Sequence, residues 1–355
     1  MHNMPKFKQT AKIFFILFLS IILTGCSLFK TETRIPDGGI YKSVDSGKTW
    51  QQMVLVPTIT DVRPTIATVN TIVLKADPQD RYALYIGTRE NGLFYTYNGA
   101  ISWYKAPVVP EAQVNDVAVD PQSKCIIYIA SGSQVFKSTD CSRNWTGTYI
   151  ENDPKILVTS LDINPTNTAV LYAGDVGGNV YKSIDYGKSW RTVARFNNSI
   201  MKILINPKDT ANVYIATRTK GIKKTKDGGE TWNDLEEKIK NFQGASNYAK
   251  LIFHEGEDKL YYASKYGILT SGDGGETWTD LKLLTPPRGA DIYSIAVNPK
   301  NAKEIYYATD RTFYKSVDAG EHWSTNQLPT GRIANQLLID PLEPNVMYMG
   351  VAAKR

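Results

Sequence analysis

The chain has 355 residues, of which 42% are hydrophobic and 21% charged, with 21 Tyr and 7 Trp against 3 Cys. This composition is typical of a globular protein, and the many aromatic residues favour β-structure. Three of the 41 Lys and Arg stand near the N-terminus, so 38 basic residues remain against 35 acidic ones. That excess is too small for the basic surface that nucleic-acid binding needs.

Residues 1–25 have the pattern of a signal peptide, so they are excluded from the predicted fold. Lys6, Lys8 and Lys12 form a positive start, and the apolar run Ile13–Leu23 follows. The run is too short to span a bilayer, which needs about 20 residues in a helix.

The run ends in Leu23-Thr24-Gly25-Cys26, which resembles a bacterial lipobox. The resemblance implies cleavage before Cys26, a lipid on that residue and a short tether over residues 26–37. We therefore expect a protein that is anchored to the lipid bilayer on the extracytoplasmic side of a bacterial membrane, in the cell envelope. An ordinary secretory signal with an unrelated Cys is the alternative.

The seven Trp residues reveal an internal repeat, because each closes a similar nine-residue motif and the spacing between them is 42 to 53 residues. The motif starts with Lys in its best copies and has Asp at the fourth position and Gly at the sixth. Two copies depart from it, with Asn98 at the Asp position and Ser142 at the Gly position. The Trp residues are Trp50, Trp103, Trp145, Trp190, Trp232, Trp278 and Trp323. The Asp residues are Asp45, Asp140, Asp185, Asp227, Asp273 and Asp318.

A second landmark precedes each motif, since a short apolar run ends in Asp-Pro or Asn-Pro in six repeats and in His254-Glu255 in the fifth. Positions two and four residues before the Pro are apolar throughout, as in Leu74 and Ala76, which is the period-two pattern of a strand. The pattern of each repeat therefore predicts four short strands, which form the unit of one propeller blade.

The two ends of the chain supply complementary halves of one more blade. The C-terminus provides two strands, over 335–340 and 346–351, and the N-terminus provides the motif with strands over 39–44 and 50–56. We predict an all-β fold, a seven-bladed β-propeller of four-stranded antiparallel blades over residues 38–355. The last blade is shared by the two termini, which leaves no open sheet edge.

The nine-residue motif resembles the Asp box, or BNR repeat, found in sialidases, xyloglucan-cleaving glycosidases, the sortilin ectodomain and the photosystem II stability and assembly factor family. The resemblance implies that each Asp accepts backbone N–H groups in a turn at the outer rim, and that each Trp packs into its blade. Among these families, the chain is most similar to the assembly factors. That resemblance implies a non-catalytic protein-interaction or complex-assembly factor whose partner is a protein or membrane-protein complex.

A glycan-binding or glycoside-hydrolase propeller is the alternative, and it needs two carboxylates that face one cavity. Asp116 and Asp162, on the inner strands of neighbouring blades, are the candidates. A mostly polar ring lies five residues before each Pro, and it is expected either to bind a small polar or anionic ligand or to be simply hydrated. Its members are Asp116, Ser160, Lys202, Lys250, Ser294 and Gln336. The sequence predicts no cofactor, no metal site and no catalytic nucleophile.

Two further expectations concern local features. A hairpin turning near Gly132 would place Cys125 near Cys141 and allow a disulfide, with two unpaired thiols as the alternative. Three long connections between blades, over 57–68, 233–247 and 284–290, lie on one propeller face and form a candidate partner surface. Tolerated variation in loop length is the other interpretation of these connections.

Overall fold

The computed structural model describes residues 36–59, 64–107, 113–150 and 153–354, and Asp37–Arg355 form one compact unit. Cys26 lies outside the described residues. Within the described ranges, none of the helices has the length and apolar character needed to cross a bilayer.

Seven four-stranded antiparallel sheets form the blades, which confirms the predicted fold. The innermost strands of blades one to seven are β3 (Thr71–Ala76), β7 (Val114–Val119), β11 (Val158–Ile163), β15 (Ile200–Ile205), β19 (Tyr248–His254), β23 (Ser294–Asn298) and β27 (Ile333–Ile339). The second strands are β4 (Leu84–Thr88), β8 (Ile127–Ser131), β12 (Leu171–Asp175), β16 (Val213–Thr217), β20 (Lys259–Ser264), β24 (Asn301–Ala308) and β28 (Met347–Ala352).

The outer half of each blade holds the Asp-box hairpin. The third strands are β5 (Leu93–Thr96), β9 (Gln134–Ser138), β13 (Asn179–Ser183), β17 (Ile222–Thr225), β21 (Ile268–Ser271), β25 (Thr312–Ser316) and β1 (Gly39–Ser43). The outermost strands are β6 (Tyr104–Lys105), β10 (Thr146–Tyr149), β14 (Arg191–Arg195), β18 (Asn233–Asp234), β22 (Thr279–Asp280), β26 (Ser324–Gln327) and β2 (Gln51–Met53).

The core is divided among the interfaces between blades. Seven clusters of buried apolar residues each join two neighbouring blades, as alternation along the strands requires. The second strands are buried along most of their length, and their Tyr residues, such as Tyr85 and Tyr128, are fully buried. A propeller blade therefore has no separate core of its own and depends on both neighbours.

The seventh blade is built from both termini, as predicted. Its strand order is β2-β1-β28-β27, and β1 pairs with β28 from Gly39 opposite Val351 to Ser43 opposite Met347. The outermost strand is shorter than the sequence suggested, because after Met53 only Leu55 makes a further bridge, to Thr65. Ile40 is fully buried against blade one, so the shared blade also closes the apolar packing of the ring.

Six of the seven innermost strands carry a β-bulge at the same place, immediately before the position of the polar ring. In blade four, for example, the register shifts between Ile200 and Lys202. A bulge inserts one extra residue and turns the next side chains to a new direction. The repeated bulge therefore decides how the ring residues are presented.

A disulfide joins Cys125 to Cys141. Cys141 lies in the Asp box of blade two, the copy that has Ser142 at the Gly position. Residues Cys141 and Ser142 both have positive φ, 58° and 68°, at positions where other boxes have at least one glycine. A non-glycine residue in this region costs about 1–2 kcal/mol. Closing a loop of 16 residues stabilises by about 3 kcal/mol in the chain-entropy model, so the covalent link offsets much of that strain.

The long connection over 233–247 contains a short helix, α1 (Glu236–Ile239). The sequence suggested that its apolar residues form a partner surface, and that expectation is wrong. Leu235 and Ile239 are 2% and 0% exposed, and they pack with Phe242 into the cluster between blades four and five. The connection is long because it covers the end of that interface.

Removing Gly39–Met53 should leave the β28 edge unpaired and expose the apolar surface of blades six and one. We expect aggregation, or a loss of cooperative thermal unfolding measured by circular dichroism. As a control, the same segment is moved behind Ala352 through a short hairpin linker, as in the other blades, and this permuted chain should melt close to the wild-type temperature. A deletion that melts like the wild type would disprove the closure argument.

Candidate functional site

The Asp-box carboxylates are fully engaged inside their own turns. The Asp45 carboxylate accepts the Thr49 backbone N–H at 2.9 Å and the hydroxyls of Ser43 and Thr49, both at 2.7 Å. The same arrangement recurs at Asp140, Asp185, Asp227, Asp273 and Asp318. Asn98 reproduces it with an amide, accepting the Ser102 backbone N–H at 3.0 Å. Both oxygens of each carboxylate thus accept hydrogen bonds from within the turn.

Hydrogen bonds to the ionised form lower the pKa of these carboxyls. The backbone N–H and hydroxyl of Thr49 hold the pKa of Asp45 at about 2, and the backbone N–H and side-chain amide of Asn144 do the same for Asp140. A carboxylate that stays ionised and saturated with donors cannot act as a general acid.

In four blades the Asp-box turn is also held by a Lys of the preceding blade. The Lys182 ammonium and the Tyr172 hydroxyl both donate to the Gly228 carbonyl at 2.7 Å, and the ammonium lies 5.5 Å from the centre of the Tyr172 ring. Equivalent Lys and Tyr pairs hold the next turn at two further interfaces. Between blades seven and one, Lys42 alone donates to the Gly99 carbonyl. The first residue of the motif thus joins blades together.

The Trp residues of the boxes fill the outer part of the blade interfaces to different degrees. Trp103, Trp145 and Trp278 are at least nine-tenths buried, and the indole N–H of Trp103 donates to the Met53 carbonyl at 2.9 Å. The others are half-buried, namely Trp50, Trp190, Trp232 and Trp323. None of the seven stands out as an exposed ligand platform.

Most ring residues bridge to the next inner strand instead of lining open solvent. The Ser160 hydroxyl accepts the Ile203 backbone N–H at 2.9 Å, and the Ser294 hydroxyl donates to the Ala334 carbonyl at 2.6 Å. The Gln336 amide donates to the backbone of blade one. These three positions therefore connect neighbouring blades along the axis.

Asp116 has the largest share of donors in the ring. Its Oδ2 accepts the Ser160 hydroxyl at 3.0 Å and the Leu161 backbone N–H at 3.1 Å, and its Oδ1 accepts the Val117 backbone N–H at 2.9 Å. The Lys202 ammonium lies 3.3 Å from the same Oδ2. Asp116 is only 4% exposed, so it acts as a buried joint between blades two and three and holds Lys202.

A cavity of about 370 Å³ lies at one end of the axis, against blades one to five. Its wall includes the prolines of the Asp/Asn-Pro turns and apolar inner-strand residues such as Leu204 and Ile252. Three charged side chains line it from the inner strands of blades one, three and four, namely Lys75, Asp162 and Lys202, and Glu255 stands exposed in its wall. A small apolar cavity with a few charged groups is the usual form of a ligand site.

Asp162 is one of the two acidic residues of this cavity, with Glu255 as the other. Burial raises the pKa of its carboxyl, against the lowering effect of Lys75 and Lys202. Its two oxygens accept the backbone N–H groups of Ile163 at 3.1 Å and Ile205 at 2.9 Å. Asp162 thus resembles Asp116 in bridging two blades.

Lys250, the ring position of blade five, differs from the rest. In the described part of the chain, its ammonium has no hydrogen bond and no ion-pair partner. Burial, with the neighbouring Lys202 ammonium, lowers the pKa of Lys250 to about 8. Lys202 shows the opposite behaviour, since Asp116 and Asp162 raise its pKa despite burial. The ring therefore contains one paired and one unpaired lysine side by side.

His254, which stands at the position of the Asp or Asn before Pro, caps the turn of the fifth repeat, a role that the sequence alone did not indicate. Its Nδ1 accepts the Glu257 backbone N–H at 3.2 Å, as the Asp and Asn residues do elsewhere. Its Nε2 lies 3.0 Å from the Asn298 carbonyl of blade six. The imidazole is thus a turn cap and not a ligand for metal. Among the described residues, no cluster of three or more His, Cys, Asp and Glu could hold a metal ion.

Comparison with known proteins gives one family model and several propellers. The model for sortilin, neurotensin receptor 3, matches residues 178–268. Xyloglucanase Xgh74A of Acetivibrio thermocellus is 27% identical over 168 residues, which are 46% of this chain and 17% of that protein. The chain therefore spans only a small part of this curated relative.

Two solved structures show the same fold over most of the chain. The GH74 xyloglucanase from Xanthomonas campestris superposes with a TM-score of 0.66 at 16% identity, over 86% of this chain and 52% of that one. The structure of YCF48 bound to D1 peptide gives 0.64 at 14% identity, over 85% of this chain and 96% of that one. The predicted resemblance to Asp-box propellers of the sortilin and assembly-factor type is confirmed.

Acid should weaken the folded state through the Asp boxes. Their pKa values lie near 2 in the folded chain, as at Asp45 and Asp185, below the usual value of about 4. The stabilisation is complete above pH 4 and disappears as the pH falls towards 2, because the unfolded chain takes up protons that the folded chain does not.

A triple Asp→Asn variant at Asp45, Asp185 and Asp273 keeps the motif, as Asn98 does, but removes the titration. We expect its melting temperature to fall less than that of the wild type between pH 5 and pH 2.5. Glu321→Gln, which removes one exposed carboxylate, should follow the wild type. Parallel curves for the triple variant and the wild type would contradict this account.

Proposed function

We propose that this chain is a lipid-anchored, extracytoplasmic propeller that binds a protein partner without catalysing a reaction. The single observation that best supports this is how the carboxylates are used. Those of the Asp boxes, and Asp116 and Asp162 near the axis, all accept backbone N–H groups that join strands or blades. They hold the scaffold together, which leaves the cavity as a binding surface.

The match to a peptide-bound propeller supports the same proposal. This chain matches 96% of the YCF48 chain that was solved with a D1 peptide, but 52% of the Xanthomonas xyloglucanase. A single propeller of matching size is thus known with a bound peptide. We infer that the partner of this chain is a protein segment that enters the axial cavity from the face of the Asp/Asn-Pro turns.

The position of Asp37 fits an anchored molecule. Its carboxylate accepts the Gly331 backbone N–H at 2.9 Å and the Arg332 Nε–H at 3.2 Å, in the connection from blade six to blade seven. Such connections lie on the face opposite the Asp/Asn-Pro turns. A tether that leads from Cys26 to Asp37 would therefore attach behind the cavity and leave its mouth free.

A glycoside hydrolase is the second candidate, on a specific observation. Asp162, whose pKa is raised by burial, shares the cavity with Glu255, an exposed carboxylate, and glycosidases pair a protonated carboxyl with an ionised one. The similarity to xyloglucanases points in the same direction. Release of reducing ends from xyloglucan by the wild type, lost in Asp162→Asn, would replace the binding proposal with this one.

The anchor is tested by Cys26→Ala. We expect this variant to leave the membrane fraction and to incorporate no labelled fatty acid, because the thiol that would carry the lipid is gone. Ser27→Ala, next to it, should remain in the membrane fraction. Membrane association and fatty-acid labelling of Cys26→Ala would refute the proposed anchor.

The partner face is tested by photocrosslinking in native membranes. A photoreactive residue at Glu255, in the cavity wall, should capture a protein partner, whereas one at Leu284, exposed on the opposite face, should not. Adducts should be identified by mass spectrometry. Capture from position 284 alone would move the binding surface to the other face, and capture from neither would argue against a protein partner.

A further inference from the structure

The unpaired lysine of the ring stands beside a lysine whose partner is already saturated. Lys202 lies 3.3 Å from Asp116, but that carboxylate also receives the Val117 and Leu161 backbone N–H groups and the Ser160 hydroxyl. Asp116 therefore has little capacity left for Lys250. The described residues offer Lys250 no other acceptor, so an ammonium group is held inside the propeller without a counter-ion.

The charges of the ring residues leave a positive excess that one anion would neutralise. At the level of the ring, Lys202 and Lys250 carry two positive charges and Asp116 carries one negative charge. Nearer the mouth of the cavity, Lys75 is set against Asp162 and Glu255. From blades six and seven the ring contributes Ser294 and Gln336, which do not titrate. The ring thus has an excess of about one positive charge in a partly dehydrated site, where electrostatic attraction is stronger than in water.

We propose that Lys202 and Lys250 together bind one carboxylate group of a ligand that reaches the ring through the axial cavity, whose wall includes Lys202 but not Lys250. A single negative charge matches the excess, whereas a phosphate dianion would overfill it. The volume of about 370 Å³ and the apolar wall, which includes Leu204, Ile252 and Phe253, suit a small organic body attached to the carboxylate. This inference rests on the proposed function in taking the cavity as the binding surface.

The bulges explain why this pair exists. Lys202 and Lys250 follow the bulges of blades four and five, after Ile200 and Tyr248, so the same distortion presents both from adjacent strands. In the other blades the residue at this position is used for a bond to the neighbouring blade or is apolar, as in Val73. Only these two ring positions, among the inner strands described, place cations next to each other.

Binding should depend on pH in a defined direction. The carboxylate needs Lys250 in its charged form, and the pKa of this lysine is about 8 without ligand. Affinity should be constant between about pH 5, where the ligand's own carboxyl is ionised, and pH 8. Above pH 8 it should fall about tenfold for each pH unit, since one proton is linked to binding. The charged groups that act on Lys250 are Lys202 and Asp116. Tyr248, two residues before Lys250, does not titrate in this range, because burial raises its pKa to about 12.

The test is calorimetric titration of the full chain in detergent with two pairs of probes. One pair is N-acetyl-Leu-Ala and its C-terminal amide, and the other is glucuronate and glucose. We expect a carboxylate probe to bind and its neutral counterpart to bind at least tenfold more weakly. Binding of the peptide acid supports a peptide source for the carboxylate, and binding of glucuronate supports an acidic sugar. If no carboxylate binds, or the neutral probes bind equally well, the proposal is wrong.

Lys250→Met, which keeps the length of the side chain, should weaken carboxylate binding at least tenfold and abolish its pH dependence. Lys188→Met, which removes an exposed lysine, should change neither. Because Lys250 has no partner, its replacement should leave the melting temperature equal or higher, which separates lost binding from lost folding. Unchanged carboxylate affinity in Lys250→Met would overturn the proposal, even if photocrosslinking finds a partner; failed crosslinking with intact carboxylate binding would instead reject only the protein partner.

Discussion

The structure depends on the contact between one blade and the next, because no blade encloses a core of its own. Two polar devices fix that contact at different distances from the axis. At the outer end, Lys and Tyr pairs such as Lys182 and Tyr172 hold the Asp-box turn of the following blade. Near the axis, Asp116 and Asp162 reach the backbone of the next inner strand. Buried apolar clusters lie between these two sets of bonds, so the interface between blades three and four, for example, is fixed at both ends.

This arrangement explains which parts of the molecule the sequence could predict. The Trp spacing, the alternation of residues such as Leu74 and Ala76 and the complementary termini are local patterns repeated seven times, and repetition made them visible. The role of an individual position, in contrast, can differ from one blade to the next. His254 caps its turn as an Asp would, and Ile239 is buried beneath the blade interface although it lies in a loop. Such roles depend on which blade lies opposite, which local pattern does not contain.

The role of most ring residues could not be predicted from the sequence. The residues five before each Pro do form a common level near the axis, but a polar side chain there was expected to be solvated or to bind a ligand. Four of the six, including Ser160 and Ser294, instead bond to the next blade. The bulge that turns them was not evident from composition or periodicity, since it adds one residue without altering the apolar pattern around it.

Repeated structure also makes departures from the repeat informative. The ring position bonds to the next blade in most repeats, so its side chain contributes to the stability of the propeller. A blade that has a cation at this position lacks that bond. At Lys202 the loss is partly recovered through Asp116, but at Lys250 nothing in the described chain recovers it. Stability alone would favour a neutral side chain at this point, because a desolvated and unpaired charge is costly. Binding sites commonly contain groups that lower the stability of the fold. By that criterion, the axis between blades four and five is where this propeller departs from what stability alone would favour.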